Sequence, residues 1–227
     1  MSPPSCGPSL SPPSSQTLRF RLPGLRRTLQ ALHTTMPTPN SSNPSHAHVL
    51  NPAECIRAYI QAKDGNRPHR LDAAFTEDAT LQMIVRTEAI SFPAASVGRE
   101  AIAETLVRRF NQTYENIYTL CIGQPPAVDA TAFACDWLVA MSEKQGGAVR
   151  VGCGRYDWSF TSAEHRVCAL TITIEAMETL PPDALPAVMD WVSALPYPWC
   201  DRELAVATSA VQPQVLHVLR RLRHEES

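Results

Sequence analysis

The sequence predicts an α+β protein in which helices lead, an antiparallel meander follows and further helices close the chain. Two observations carry this. Between Asn51 and Phe110 apolar residues recur at helical spacing in separate runs broken by turn residues. From Tyr118 to Thr179 the spacing changes to alternation, in four runs rich in β-branched and aromatic residues. Helices that precede such a sheet can cover one of its faces.

Residues 1–48 stand apart. They hold nine of the twenty prolines, nine serines and four arginines (Arg19, Arg21, Arg26, Arg27), and no acidic residue. Such a composition buries too little apolar surface to offset the entropy of ordering, so a disordered tail is expected. Three readings of it stand open: a dispensable extension with Met36 as the working start, an organelle transit peptide built on the Arg-rich stretch 18–32, or an interaction arm. The remainder divides into an α+β domain over 49–180 and a helical extension over 181–227.

Asn51-Pro52 reads as an N-cap followed by proline at the first helical position. Ile56, Tyr59, Ile60 and Lys63 then form one stripe, and Asp64-Gly65-Asn66 ends it. A short helix from Pro68 to Phe75 turns Leu71, Ala74 and Phe75 inward, and a strand runs from Ala79 to Val85. After a loop through Ile90–Pro93 a third helix starts at Ser96 or Gly98. It carries Ile102, Leu106, Val107 and Phe110 inward, with Arg99, Glu100, Glu104, Arg108 and Arg109 on the wet side.

Strands are expected over 118–124, 131–142, 148–161 and 166–179, joined by turns short enough for antiparallel pairing. In the last of them Cys168, Leu170, Ile172 and Ile174 alternate with Thr171, Thr173 and Glu175, which puts the even set toward the core. In the strand before it Gly152, Gly154, Tyr156 and Trp158 share that face, and Arg155 and Asp157 take the other. Pro181-Pro182 ends the sheet, and helical pieces are expected over 183–195 and 201–222, the second packing through Leu204, Val211, Val215, Leu216, Val218 and Leu219.

Charge narrows the function classes. Setting the four tail arginines aside leaves 16 basic residues against 22 acidic ones. A nucleic-acid binder carries a basic excess, so none is expected as partner. No stretch reaches the ~20 apolar residues of a membrane helix. The seven cysteines are scattered singly, without a Cys-x-x-Cys or a Cys/His spacing of zinc type, so neither metal nor cofactor is expected. A reduced, cytoplasmic setting follows, or an organelle if the tail is a transit peptide.

Three segments are similar in wording to a known family: A-Y-I-Q-A-K-D-G-N in the first helix, F-T-E-D-A-T-L into the first strand and V-G-R-E-A-I at the third helix. With the helix–helix–strand–helix order and the following sheet, the stretch from about Pro52 to Glu178 resembles the nuclear transport factor 2-like superfamily, in its SnoaL-like and ketosteroid-isomerase-like branch. The resemblance implies a cone-shaped, curved α+β barrel, a pocket between helices and sheet, and a homodimer. In the isomerase branch a first-helix Tyr works with an aspartate base on the first strand and an acid on a later strand. Tyr59 matches the first. The base position falls on Met83, which carries no proton, and the later acid falls near Tyr156 and Asp157. Ketosteroid isomerase chemistry itself is therefore rejected.

The expected pocket is bounded by Tyr59, Phe75, Met83, Phe110, Tyr156, Trp158 and Ile174. Tyr59 is its hydrogen-bond donor, and Asp136 or Asp157 its candidate acid/base. For each a structural role stands beside the chemical one: a core Tyr bonded to a carbonyl, an Asp136 neutralised by Arg150 or Arg155, an Asp157 facing outward. Glu88 and Arg86 sit where they could border the mouth, and His69 reads as a surface residue. Two functions are carried forward. One is a cofactor-free isomerase, cyclase or dehydratase acting on an apolar or polyketide-like molecule. The other is a non-catalytic ligand-binding or interaction module. An inward carboxylate or imidazole favours the first and an aliphatic, aromatic lining the second. A homodimer is expected through the outer sheet face around Thr171, Thr173 and Glu175.

Overall fold

The computed structural model describes residues 49–209 and 212–222. By its contacts the chain divides into two units, 1–45 and 46–227, and every described residue belongs to the second. The readings of the tail, and of Val211, lie outside the described residues.

Helix α1 (Pro52–Asp64) begins as its sequence dictates. The Asn51 side chain accepts from the Glu54 amide at 3.0 Å and the Glu54 carboxylate accepts from the Asn51 amide at 2.9 Å. This reciprocal cap satisfies two amides the first turn leaves open. A 3₁₀ turn (Pro68–Arg70) and α2 (Leu71–Ala74) follow, and strand β1 (Phe75–Val85) starts four residues earlier than the alternation suggests. A short strand β2 (Ala95–Val97), paired antiparallel to β1, stands where the sequence reads as loop or as a helix start at Ser96, and the helix begins only after Gly98. The third helix runs from α3 (Arg99–Ala103) through a π-helical stretch (Glu104–Arg109) into α4 (Phe110–Thr113). Its charged side is laced by Arg108–Glu100 and Arg109–Glu104 pairs at 2.8 and 3.0 Å.

Strands β3 (Tyr114–Ile122), β4 (Ala132–Glu143), β5 (Val149–Phe160) and β6 (Val167–Leu180) form the antiparallel meander. The sheet has seven strands in the order β2-β1-β6-β5-β4-β3-β7, is open, and is mixed. β1 lies parallel to β6, and the two-residue β7 (Trp199–Cys200) lies parallel to β3. No alternation pattern announces a parallel neighbour, because the side-chain period is two in either case.

Bulges bend this sheet. Cys153 pairs with Ala176 while Gly154 pairs with Ile174, which leaves Glu175 without an opposite residue. The bulge also reverses parity along β6. Leu170, Ile172 and Ile174 join the core beneath the helices, as does Met177, whereas Ala176 and Leu180 join a second core on the opposite face. Cys168 departs from the expected inward set: it is half-buried, and its thiol donates to the Ser159 carbonyl.

The second core is made by the C-terminal extension. After a 3₁₀ turn (Pro182–Ala184), helix α5 (Leu185–Ser193) packs on β3 and β4, and α7 (Pro213–Leu222) packs on β5 and β6 through Val215, Val218, Leu219 and Leu222. Between them α6 (Arg202–Ala207) is capped by Asp201, which accepts from the Glu203 and Leu204 amides. One predicted helix over 201–222 is thus two, and Leu204 is 40% exposed rather than packed. The extension belongs to the same compact unit as the domain before it.

Candidate functional site

The inner face of the sheet and the stripes of α1 and the third helix enclose a cavity. Its wall includes Tyr59 and Lys63 from α1, Met83 from β1, Leu106 and Phe110 from the third helix, and Trp137, Val139, Met141, Tyr156, Ile172 and Ile174 from the sheet. Its volume is about 50 Å³, more than the ~10–15 Å³ that a single water needs. There is room for a compact group, not for a whole polyketide.

Five of the seven predicted pocket residues line it: Tyr59, Met83, Phe110, Tyr156 and Ile174. Phe75 and Trp158 do not reach the wall. They are buried behind Tyr59, with ring centroids 6.0 and 5.3 Å from its own, and fix its ring in place. Gly154 allows the close approach of Trp137. A Cβ there would stand 1.9 Å from the Thr173 carbonyl oxygen and 2.7 Å from the Trp137 ring.

Neither predicted carboxylate faces the cavity. Asp136 alternates with the inward Cys135 and Trp137, so β4 carries it to the opposite face, where its carboxylate accepts from Arg202 Nη2 at 2.6 Å. Arg155 stands at 4.0 Å on its other side. Asp157 is exposed on that same face and pairs with Arg155 at 3.2 Å. The period of two excludes both from the pocket once Tyr156 points in. His69 is exposed. Arg86 pairs with Glu175 at 2.8 Å, outside the cavity wall.

The polar group missed by sequence reasoning is Lys63. Its side chain is 7% exposed and its ammonium donates to Asp64 Oδ1 at 2.8 Å and to Thr119 Oγ1 at 2.6 Å, with the Phe110 ring centroid 4.8 Å away. Asp64 in turn accepts from the Thr119 amide at 2.7 Å, the Thr119 hydroxyl at 2.8 Å and the Tyr197 hydroxyl at 3.0 Å. The signal was present, since a lysine completed an otherwise apolar helical stripe. What the sequence lacked was the partner, 56 residues away on β3.

Two residues of the wall carry a buried donor without a partner. The Tyr59 hydroxyl and the Trp137 indole N–H are buried and make no hydrogen bond. Burial pushes the Tyr59 hydroxyl far above its ordinary value, and Tyr156 opposes that shift through its hydroxyl, although no hydrogen bond of standard geometry joins the two. Tyr156 is raised as well, chiefly by burial and then by Tyr59. Both stay protonated and present O–H groups. Among the described residues, the wall holds donors of hydrogen bonds and no carboxylate or imidazole.

A second, larger chamber adjoins this cavity and shares Ile90, Phe92 and Phe110 with it. Among the described residues no cluster of His, Cys, Asp and Glu could hold a metal ion, and no helix is long and apolar enough to cross a membrane.

Fold and cavity together define a class: an α+β protein whose bent sheet and N-terminal helices enclose an internal cavity. Three solved structures are similar to part of this chain in fold. One is a hypothetical protein with ketosteroid isomerase-like fold from Catenulispora acidiphila in complex with trimethylamine, 20% identical at a TM-score of 0.42, covering 52% of this chain and 83% of that one. Another is a nuclear transport factor 2-like superfamily protein from Salmonella enterica serovar Typhimurium, 18% identical at 0.42 over 55% and 88%. The third, from Mycobacterium tuberculosis, is a complex with estradiol-17β-hemisuccinate, 12% identical at 0.46 over 57% and 99%. No family model matches the sequence, and no curated protein matches it.

Proposed function

We propose that this chain is a ligand-binding protein, not an acid–base catalyst, and that it holds an apolar small molecule by a hydrogen-bond acceptor at its buried end. One observation carries the reading. The cavity is lined mainly by aliphatic and aromatic side chains, its one ammonium, Lys63, is engaged by Asp64 and Thr119, and two of its wall residues, Tyr59 and Trp137, bury donors that lack partners. A buried donor without an acceptor costs ~1–3 kcal/mol, which a ligand carbonyl or ether oxygen would restore. Tyr59 and Tyr156, pushed far up by burial, do not change protonation near neutral pH as general acid–base catalysis needs, and the Lys63 ammonium is held by Asp64 and Thr119.

The test uses acetophenone and the Tyr59→Phe chain. Loss of an unsatisfied hydroxyl should leave stability unchanged or slightly higher, while affinity for acetophenone, followed by tryptophan fluorescence, falls about tenfold. Equal affinity of both chains would remove Tyr59 from the site. Conversion of cyclohex-3-enone to its conjugated isomer, abolished by Tyr59→Phe, would restore the isomerase reading in place of the binding one.

We further propose that two copies of the chain pair through the part of the outer sheet face that α7 leaves open. Thr80, Gln82 and the 36%-exposed Ile84 of β1 lie there beside Thr171 and Glu175 of β6.

A further inference from the structure

We infer that the inner cavity and the neighbouring chamber are one binding site, and that its ligand is an elongated, single-chain molecule: an acceptor group at the buried end, then an apolar stretch leading out past Phe92. The inference rests on the binding reading above and goes beyond it in naming the ligand's shape and the outer subsite.

Three observations lead there. The inner cavity is too small for most of any metabolite-sized ligand, at about 50 Å³, whereas the outer chamber offers about 500 Å³ on the same measure. Ligand pockets run to ~300–1,000 Å³, a range the inner cavity does not reach alone. The two spaces share Ile90, Phe92 and Phe110, so these side chains stand between them. The Phe92 and Phe110 rings are stacked 6.3 Å apart at an interplanar angle of 24°.

The dividing segment can yield without loss of the sheet. Its ends are fixed where the Arg86 amide donates to the Ile174 carbonyl and the Met83 amide donates to the Ala94 carbonyl, each at 2.9 Å. Between them one long-range hydrogen bond reaches the backbone, Arg150 Nη1 to the Ala89 carbonyl at 3.0 Å, and the Ala89, Ile90 and Phe92 side chains pack half-buried against the core. Phe92 is half-buried and can turn on its own side-chain torsions. Opposite it, the π-helical stretch and its continuation put Thr105, Arg109, Phe110 and Thr113 on the chamber wall. Such widened turns often mark functional sites.

Polarity orders the ligand. Unpartnered donors sit deep, at Tyr59 and Trp137, so the acceptor end goes in first. The passage itself is apolar, lined by Ile90, Phe92 and Phe110. The outer wall brings Glu88, Ser91, Thr105, Arg109 and Thr113, which suit a hydrated far end.

The test is a chain-length series of methyl ketones from butanone to undecan-2-one, titrated by calorimetry into the full chain. If the chain threads past Phe92, affinity should rise about fourfold per added methylene beyond the length the inner cavity holds. Ser91→Trp and Thr113→Trp fill the outer chamber from exposed positions. Each should cost the long ketones at least tenfold more than it costs butanone. Affinity that peaks at the short ketones and ignores both tryptophans overturns the outer subsite but leaves the inner site standing. No binding by any ketone removes both readings.

Discussion

Lys63→Met isolates what the buried Lys63–Asp64 pair contributes. Methionine keeps most of the lysine stem and its contact with Phe110, and deletes the ammonium. Asp64 would then be left 7% exposed with no counter-charge. Removing one partner of a buried pair costs ~3–5 kcal/mol. Here the loss falls toward the lower figure, because the Thr119 amide, the Thr119 hydroxyl and the Tyr197 hydroxyl still donate to the carboxylate. About 3 kcal/mol corresponds to a drop of ~6–12 °C in the unfolding midpoint for a domain of this size. Thermal and urea unfolding of Lys63→Met, Asp64→Asn and the double variant measure it. The double variant should lose at least ~1 kcal/mol less than the two single losses combined, since each single change orphans the other's charge. A Lys63→Met loss below ~1 kcal/mol, or strict additivity, refutes the reasoning.

Gly154→Ala should be among the most damaging small changes. Its Cβ would meet the Thr173 backbone oxygen at 1.9 Å, and a backbone atom inside a sheet has nowhere to move; a loss of at least ~3 kcal/mol in urea unfolding is expected. Alkaline stability should fall early. Burial pushes the Cys55 and Cys153 thiols from the ordinary 9.0 to about 12, and Cys200 to about 11. Below pH ~9 both states hold these protons and the contribution is constant; above it the unfolded chain releases protons the fold retains, so stability drops with rising pH. Urea midpoints between pH 8 and 11 should therefore decline, and decline less in a Cys55→Ala, Cys153→Ala chain. Sedimentation at micromolar concentration should give a dimer that Thr171→Arg dissociates; a monomer for the unaltered chain would sink the proposed pairing.

Local chemistry made much of the fold legible. The Asn51-Pro52 start, the stripe of α1 and the alternation of β5 and β6 each depend on near neighbours along the chain. So the inward Tyr59, Met83, Tyr156 and Ile174 and the outward Arg155 and Asp157 could be read from spacing. Alternation puts Asp136 on the face opposite Trp137, but a sequence pattern does not say which face of β4 meets the helices. Tertiary structure decided the rest, because it depends on residues distant in sequence. The parallel seat of β1 beside β6 leaves no local trace, and the Glu175 bulge changes parity within a single strand. Lys63 became part of the site only when β3 brought Thr119 to it. Ile90, Phe92 and Phe110 line both the small inner cavity and the larger outer chamber, and no spacing rule encodes the stacking of Phe92 on Phe110.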